Sequence, residues 1–464
     1  MSLTSSLYTA CSGMSASQAS LSVVSNNIIN VDTEGYSRQR VNTASVYAAT
    51  SASTTNIGGG VQIQSVESIT DQFLRDSARD NNDDLGYWDT QNNYLSEIET
   101  SYGDIYGTTL QTATDDYLNA WDELSKDPSD QSSRALVYET GVALSDSINA
   151  FSDQIDAIEQ SAITEVQDTV TDINRITASL ASINEQISKN VSDDSLELVD
   201  AREALLDELS LLVDCTTNYQ SDGTVDVISN NAVLVNGKTS QELSVALTPP
   251  SGMPVVQLES GNTYSNTGGS LGALTSLLDE DESPSFTEMR TILNDGIMSL
   301  VGEVNTLHQQ GTGLDGETGI DFFVAIHEGE ALGIGNLTVN ALLEDVNKIG
   351  ASLSGEEGDG EIATQISELQ GSKVITYEGT NVTIDDYLAA YTEWLGTQTQ
   401  VAEFNLESYT ELGTQLQATL SEISSVSLDD EMSNMIMYQQ TYNANANVMG
   451  IINELLDEMI QKLG

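Results

Sequence analysis

Apolar residues recur at both ends of the chain with spacings that alternate between four and three. Near the start the stripe is Leu3, Leu7, Ala10, Met14, Ser17, Leu21, Val24 and Ile28. Near the end it is Leu428, Met432, Met435, Gln439, Tyr442, Ala446 and Met449, and it then shifts by one residue to Ile452, Leu456, Met459 and Leu463. Sustained four–three alternation is the seam of a coiled coil, so the two ends are predicted to be helices that pair. Their other faces carry no charge: residues 1–31 and 432–453 contain no Asp, Glu, Lys or Arg. Ser, Thr, Asn, Gln and Ala stand where a solitary surface helix places ion pairs. Such residues can be enclosed when hydrogen-bonded, whereas an unpaired charge cannot. An ordinary intramolecular helix pair accounts for the seam alone. The uncharged outer faces favour a crowded assembly element.

Between the ends the period changes several times. Residues 38–49 and 61–66 read as short strands around a polar loop at 50–60. Helical spacing follows at Leu85, Trp88, Asn92, Leu95 and Ile98, and again from Leu110 through Tyr117 and Trp121 to Leu124. Pro128-Ser129-Asp130 opens a further helix. Its apolar positions from Ile148 to Val191 step by about 3.6, which predicts one straight helix of about sixty residues. Asp222-Gly223 and Asn236-Gly237, set among Val, Ile and Leu, predict two hairpins within 214–260. Helices are expected again at 271–278 and 286–308, then a loop from Gly311 to Gly319, mixed short elements with an acidic loop at 354–360, and a long helix from Ile384 to Ile423. Ser427 is placed to cap the terminal helix, with Asp429, Asp430 and Glu431 in its first turn and Lys462 in its last, as the helix dipole favours. The fold class is mainly α with a β insert. Its expected parts are a terminal coiled coil (1–45 with 425–464), a long-helix core (46–213, 263–319 and 383–424) and a β-rich outer part (214–262 with 320–382).

The chain has 464 residues and a formal net charge of −58, from 14 Lys and Arg against 72 Asp and Glu. That balance argues against nucleic acid and anionic membrane surfaces, both of which need basic patches. It suits solubility or a salty habitat, where screening shortens repulsion. Cys11, beside the seam, and Cys215, at the end of a helical pattern, are expected to be buried free thiols. No cleavable signal or membrane span is read in the chain, which fits either the cytoplasm or export by an apparatus that takes an unfolded N-terminus.

No catalytic set stands out. Gly268-Gly269-Ser270-Leu271-Gly272 matches G-x-S-x-G but follows a polar loop instead of a strand, in a chain with two histidines. Gly311-Thr312-Gly313-Leu314-Asp315-Gly316 matches G-x-G-x-x-G but leaves a helix instead of opening one. Gly237-Lys238-Thr239 lacks the upstream glycine of a P-loop. His308 and His327 are not spaced as a metal pair, and the acidic runs at 279–282 and 356–361 lack the Ca²⁺-loop period. We expect no enzyme activity, cofactor or metal.

One segment is familiar. Ser25-Asn26-Asn27-Ile28-Ile29-Asn30-Val31-Asp32-Thr33-Glu34-Gly35-Tyr36-Ser37-Arg38-Gln39 closely resembles the N-terminal signature of the bacterial flagellar rod, hook and hook-associated protein family. Ile29 departs from the small residue usual there. Gly58-Gly59-Gly60-Val61 with Asp71, Phe73, Leu74 and Arg79 is similar to the segment that follows the signature in members joining hook to filament, and Ser68 stands where Arg is expected. Asn305, His308, Gly311, Gly313, Gly316, Gly319, Phe322 and Phe323 resemble an internal motif of the same members. Glu431, Tyr438-Gln439-Gln440, Tyr442, Ala444-Asn445-Ala446 and Leu455 resemble their C-terminal helix. The resemblance implies a structural, extracellular protein of the flagellum, exported through its type III apparatus. Its implied partners are further copies in a ring, the hook protein on one side, a second junction protein on the other, and a cytoplasmic export chaperone on the C-terminal helix. The expected assembly interface comprises Leu3, Leu7, Met14, Leu21, Val24, Asn26, Asn27, Ile28, Asn30, Gly35 and Tyr36 from the start of the chain. From the end it comprises Met432, Met435, Tyr438, Gln439, Tyr442, Ala446, Met449, Ile452, Leu456 and Met459. A hook or distal-rod protein is the nearest alternative, and an acidic surface adhesin a more distant one.

Overall fold

The computed structural model describes residues 3–33, 35–47, 58–103, 109–189, 196–230, 232–249, 252–327, 329–377 and 379–463. Most of the expected polar loop at 50–60, and Val191, lie outside them. In chain order the first elements are helix α1 (Leu3–Ile29), strands β1 (Gln39–Tyr47) and β2 (Gly58–Ser68), and helices α2 (Gln72–Gly103), α3 (Leu110–Lys126), α4 (Gln131–Lys189) and α5 (Leu196–Leu212). Strands β3 (Thr216–Tyr219), β4 (Val225–Ser229), β5 (Ala232–Asn236), β6 (Thr239–Ser240), β7 (Leu243–Thr248) and β8 (Met253–Leu258) follow. Then come α6 (Gly269–Leu278), α7 (Phe286–Gln310), β9 (Phe323–Val324), β10 (Thr338–Val339), α8 (Glu361–Ser367), β11 (Ile375–Tyr377), β12 (Thr380–Val382), α9 (Ile384–Ser424) and α10 (Leu428–Leu463). The sixty-residue expectation is met by α4, 59 residues long. No described helix is long and apolar enough to cross a membrane.

The chain divides into two compact units. The first comprises Met1–Asp83, Asp172–Glu242 and Tyr409–Gly464, the second Asp84–Thr171 and Leu243–Ser408. In the first, α1 packs on α10 and on the antiparallel hairpin β1–β2. The same unit holds the antiparallel meander β3-β4-β5-β6. Its predicted hairpin glycines, Gly223 and Gly237, both take the left-handed φ (+86° and +54°) that side chains with a Cβ disfavour. Asn184 on α4 ties both turns: its amide nitrogen donates to the carbonyls of Val225 (2.8 Å) and Gly237 (2.7 Å). The hairpin β7–β8 belongs to the second unit. The two units therefore cut across the expected β-rich part, because 214–242 and 243–262 separate at Glu242.

The core of the second unit is aromatic. Tyr117 and Trp121, four residues apart on α3, meet Phe322 with ring centroids 5.4 and 5.6 Å apart, and Phe323 packs on Tyr117 at 5.5 Å. The internal family motif builds this node. Asn305 accepts from the backbone N–H groups of Phe322 and Phe323, both at 2.9 Å, and donates to the Phe323 carbonyl at 2.8 Å. His308 bridges the Ile320 carbonyl (2.7 Å from Nδ1) and the Gly350 N–H (3.0 Å from Nε2), so its neutral form fits, protonated at Nδ1. Gly311 is required by close approach, since a Cβ there would sit 2.4 Å from the Gly350 carbonyl oxygen, and Gly313 meets the Asn347 carbonyl oxygen in the same way at 2.5 Å. Gly316 and Gly319 hold φ of +85° and +80°. These eight residues hold the end of α7 against the segments that follow it.

Candidate assembly interface at the paired termini

Two contacts give the direction of the terminal pair. Asn27 on α1 meets Glu431 on α10, and a Cβ on Gly13 would meet the Asn445 side chain at 2.8 Å. The contact moves back along α1 by as many residues as it moves forward along α10, so the helices are antiparallel.

The seam keeps Ala10, Ser17 and Val24 of the predicted stripe and adds Ser20 and Asn27. On α1 the buried residues are Ala10, Ser17, Ser20, Val24 and Asn27. Leu3, Leu7, Met14, Leu21 and Ile28 flank them, half-buried. Small residues set the distance between helix axes, so this pair closes where its side chains are shortest. On α10 the inward residues are Glu431, Met435, Tyr438, Tyr442, Asn445, Ala446, Met449, Ile452 and Leu456. Leu428, Met432, Gln439 and Met459, expected in the seam, face outward instead; Met432 is 51% exposed. The Leu463 side chain lies outside the described residues. Cys11 is exposed, not buried as expected, because it falls on the outward stripe Tyr8, Cys11, Ser15, Gln18, Ser22, Ser25 and Ile29. Cys215 is buried, and burial pushes its thiol up to about 12.

The outward face of α10 is apolar as well. Met432, Ile436, Val448, Ile451, Leu455 and Met459 are all largely exposed, Ile451 by 58%. Met432 and Ile436 stand near the start of α10 and Val448, Ile451, Leu455 and Met459 near its end, with the uncharged Gln440 and Asn443 exposed between them. Helix α10 thus carries two apolar faces, and α1 covers one of them.

The signature residues lock the end of the pair. Asn27, wholly buried, uses both ends of its amide: Nδ2 donates to the Gln39 carbonyl (3.0 Å) and to Glu431 Oε2 (3.1 Å). Its Oδ1 accepts from the Gln39 N–H (3.0 Å) and the Tyr36 hydroxyl (2.9 Å). Glu431 is 1% exposed and receives Arg38 through Nε (2.9 Å) and Nη2 (2.7 Å). The Arg38 N–H donates to the Ser424 carbonyl (2.9 Å), fixing the entry to α10. Asn30 turns back on Asn26, donating from Nδ2 to its carbonyl (3.1 Å) and its side-chain oxygen (3.0 Å). Gly35, at φ +77°, makes the reversal that brings Tyr36 to Asn27. Burial, with Asp200, Glu197 and Glu431 nearby, pushes the Tyr36 hydroxyl up to about 12, so it stays a donor at physiological pH.

A second layer holds Ser37. Its N–H donates to Asp200 of α5 (3.3 Å), and its hydroxyl accepts from Arg75 Nη2 (3.0 Å). Behind it, Arg79 and Arg202 close on the buried Glu203 at 2.7 and 2.8 Å. Burial works to raise the Glu203 carboxyl, but the two guanidiniums outweigh it and hold it low. Sequence reasoning chose Asn27 and Tyr36 but left Arg38 and Glu431 out of the interface. Nothing local singles them out: Glu431 follows Asp429 and Asp430 in the first turn of α10, and Arg38 stands between Asp32 and Glu34 on one side and Arg40 on the other.

The comparisons agree with this geometry. A family model described as the flagellar hook-associated protein FlgK helical domain matches residues 95–323. Models for the flagella basal body rod protein and the flagellar basal body rod FlgEFG protein C-terminal match 7–36 and 417–462, the two paired ends. Flagellar hook-associated protein 1 of Bacillus subtilis is 31% identical, over 99% of this chain and 98% of its own length. Its namesake in Escherichia coli K12 is 22% identical, over 99% and 100%. The flagellar hook junction protein FlgK of Burkholderia pseudomallei shares the fold, with a TM-score of 0.64 at 15% identity, covering 76% of this chain and 100% of that one. Similarity to curated relatives thus runs from end to end, and the chain belongs to the flagellar hook-associated protein 1 family.

Proposed function

We propose that this protein joins hook to filament as a structural, non-enzymatic adaptor, and that the α1/α10 pair is the surface by which its copies pack against one another and against their axial neighbours. The observation that carries this is the second apolar face of α10. It lacks charge from Met432 to Asn453, is exposed in the single chain, and lies beside the equally uncharged outer stripe of α1. Exposed apolar residues gathered along an uncharged helix mark an interaction site. The partners we assign are further copies in a ring, the hook protein, and the second junction protein toward the filament. An export chaperone would cover the same α10 face in the cytoplasm, before secretion without a cleaved signal. The locked turn at Asn27, Arg38 and Glu431 would present the pair at a fixed angle to the rest of the first unit.

Removal of residues 425–464 tests this. The second unit contains none of them, so it should stay folded while incorporation is lost. The expected phenotype is hooks without filaments and flagellin shed into the medium. Filaments of normal number and length on cells carrying the truncation would overturn the reading.

A further inference from the structure

With 14 basic residues in the chain, where each one is spent is informative. Arg38, Arg79, Arg202 and Arg290 all reach carboxylates. Arg134, in the first turn of α4, does not. Its side chain is 1% exposed, yet its partners are neutral carbonyls: Nε donates to Pro128 (2.7 Å), and Nη1 to Val346 (3.2 Å) and Ile349 (2.7 Å). Among the described residues no carboxylate lies within ion-pair distance, and Nη2 reaches no protein acceptor. A buried cation without a counter-charge is costly, and the cost falls when an anion joins it.

The same side chain lines a cavity of about 130 Å³ shared with Thr312, Gly313, Gly316, Ser352 and Gly355. The glycines keep this wall low, and Gly316 and Gly355 take φ of +85° and +84°. Glu356 and Glu357 also border the cavity, and Asp315 is close enough to act on the guanidinium. These acids disfavour a multiply charged guest, and the volume admits only a small one.

We propose that this cavity binds a small monoanion of chloride size, held by Arg134 Nη2 with the Thr312 hydroxyl as a second donor. Bound there, it would tie the start of α4 to the loop after α7 and to the segment around Ile349, and make the folding of the second unit halide-dependent. Burial, which lowers the guanidinium to about 10 against the pull of Asp315, is in keeping with an unmet charge.

The test uses the full chain. All three tryptophans, Trp88, Trp121 and Trp394, fall in the second unit, so their fluorescence reports its unfolding. Sodium chloride is exchanged for sodium gluconate, too large for the cavity, at constant ionic strength. The expected result is a saturable rise of the unfolding midpoint by ~3 °C, the size that ligand linkage gives for about 1 kcal/mol. Bromide should replace chloride and give an anomalous diffraction peak beside Arg134. Thr312→Val, which keeps Arg134 and the fold, should weaken the apparent affinity several-fold. Glu356→Gln with Glu357→Gln should strengthen it. Equal midpoints in the two salts, or a double variant that loses stability in gluconate because a glutamate had occupied the cavity, would overturn the proposal.

Discussion

At the scale of single residues, the chain uses polar groups inside its core as fixed connectors. His308 is 1% exposed and spends both ring nitrogens on backbone groups. Burial lowers its pKa to about 4 from an ordinary 6.5. As pH falls, the unfolded chain therefore takes up this proton first. The stability it contributes is complete above about 6.5 and is lost between 6.5 and 4, amounting to roughly 3 kcal/mol. Acid unfolding followed by tryptophan fluorescence should show this slope in the parent and not in His308→Asn; equal slopes would refute the assignment. The motif positions Asn305, Gly311 and Gly313 were legible through resemblance, but their physical reason was not. It lies in carbonyls of Phe323, Gly350 and Asn347, segments that no local pattern places beside α7.

At the scale of elements, periodicity identified most of the helices and both predicted hairpins, and it placed the terminal seam in part. The search for four–three spacing included the buried Ala10, Ser17 and Val24, gave equal weight to Leu7, Met14 and Leu21, which are half-buried, and passed over Ser20 and Asn27. On α10 the same search cannot choose between two apolar faces, and it selected Met432 and Gln439 on the outer one. The pairing also depends on Glu431, whose partner Asn27 lies 404 residues away. Replacing Glu431 with Ala would leave Arg38 and Asn27 without their acceptor. We expect a loss of about 2 kcal/mol at this junction, below the usual cost of breaking a fully buried pair because Arg38 keeps some solvent. Amide exchange in α1 and α10 should accelerate roughly 30-fold, with tryptophan-reported unfolding of the second unit unchanged. Unaltered exchange would show that the pair holds its register without this carboxylate.

At the scale of the whole molecule, charge is distributed by purpose. The chain carries a net charge of −58, yet it leaves the first 31 residues and the 432–453 stretch uncharged. Most of its described basic side chains form ion pairs within the chain, some buried, as Arg79 with Glu203, and some exposed, as Lys189 with Glu185. Acid keeps the remaining surface soluble, and the outward sides of α1 and α10 are left free of it. Composition alone revealed this division; the structure adds that α10 presents an outward stripe, apolar toward both of its ends, that α1 does not cover. The central claim is that this stripe is enclosed in the working flagellum. Ile451→Glu with Leu455→Glu alters side chains on the exposed face only, so the purified chain should keep its helix content and its α1/α10 contact. The decisive measurement is electron microscopy of flagella from cells whose only copy carries this pair of substitutions. The account predicts intact hooks with filaments absent and flagellin in the medium; filaments of normal length attached to those hooks would contradict it.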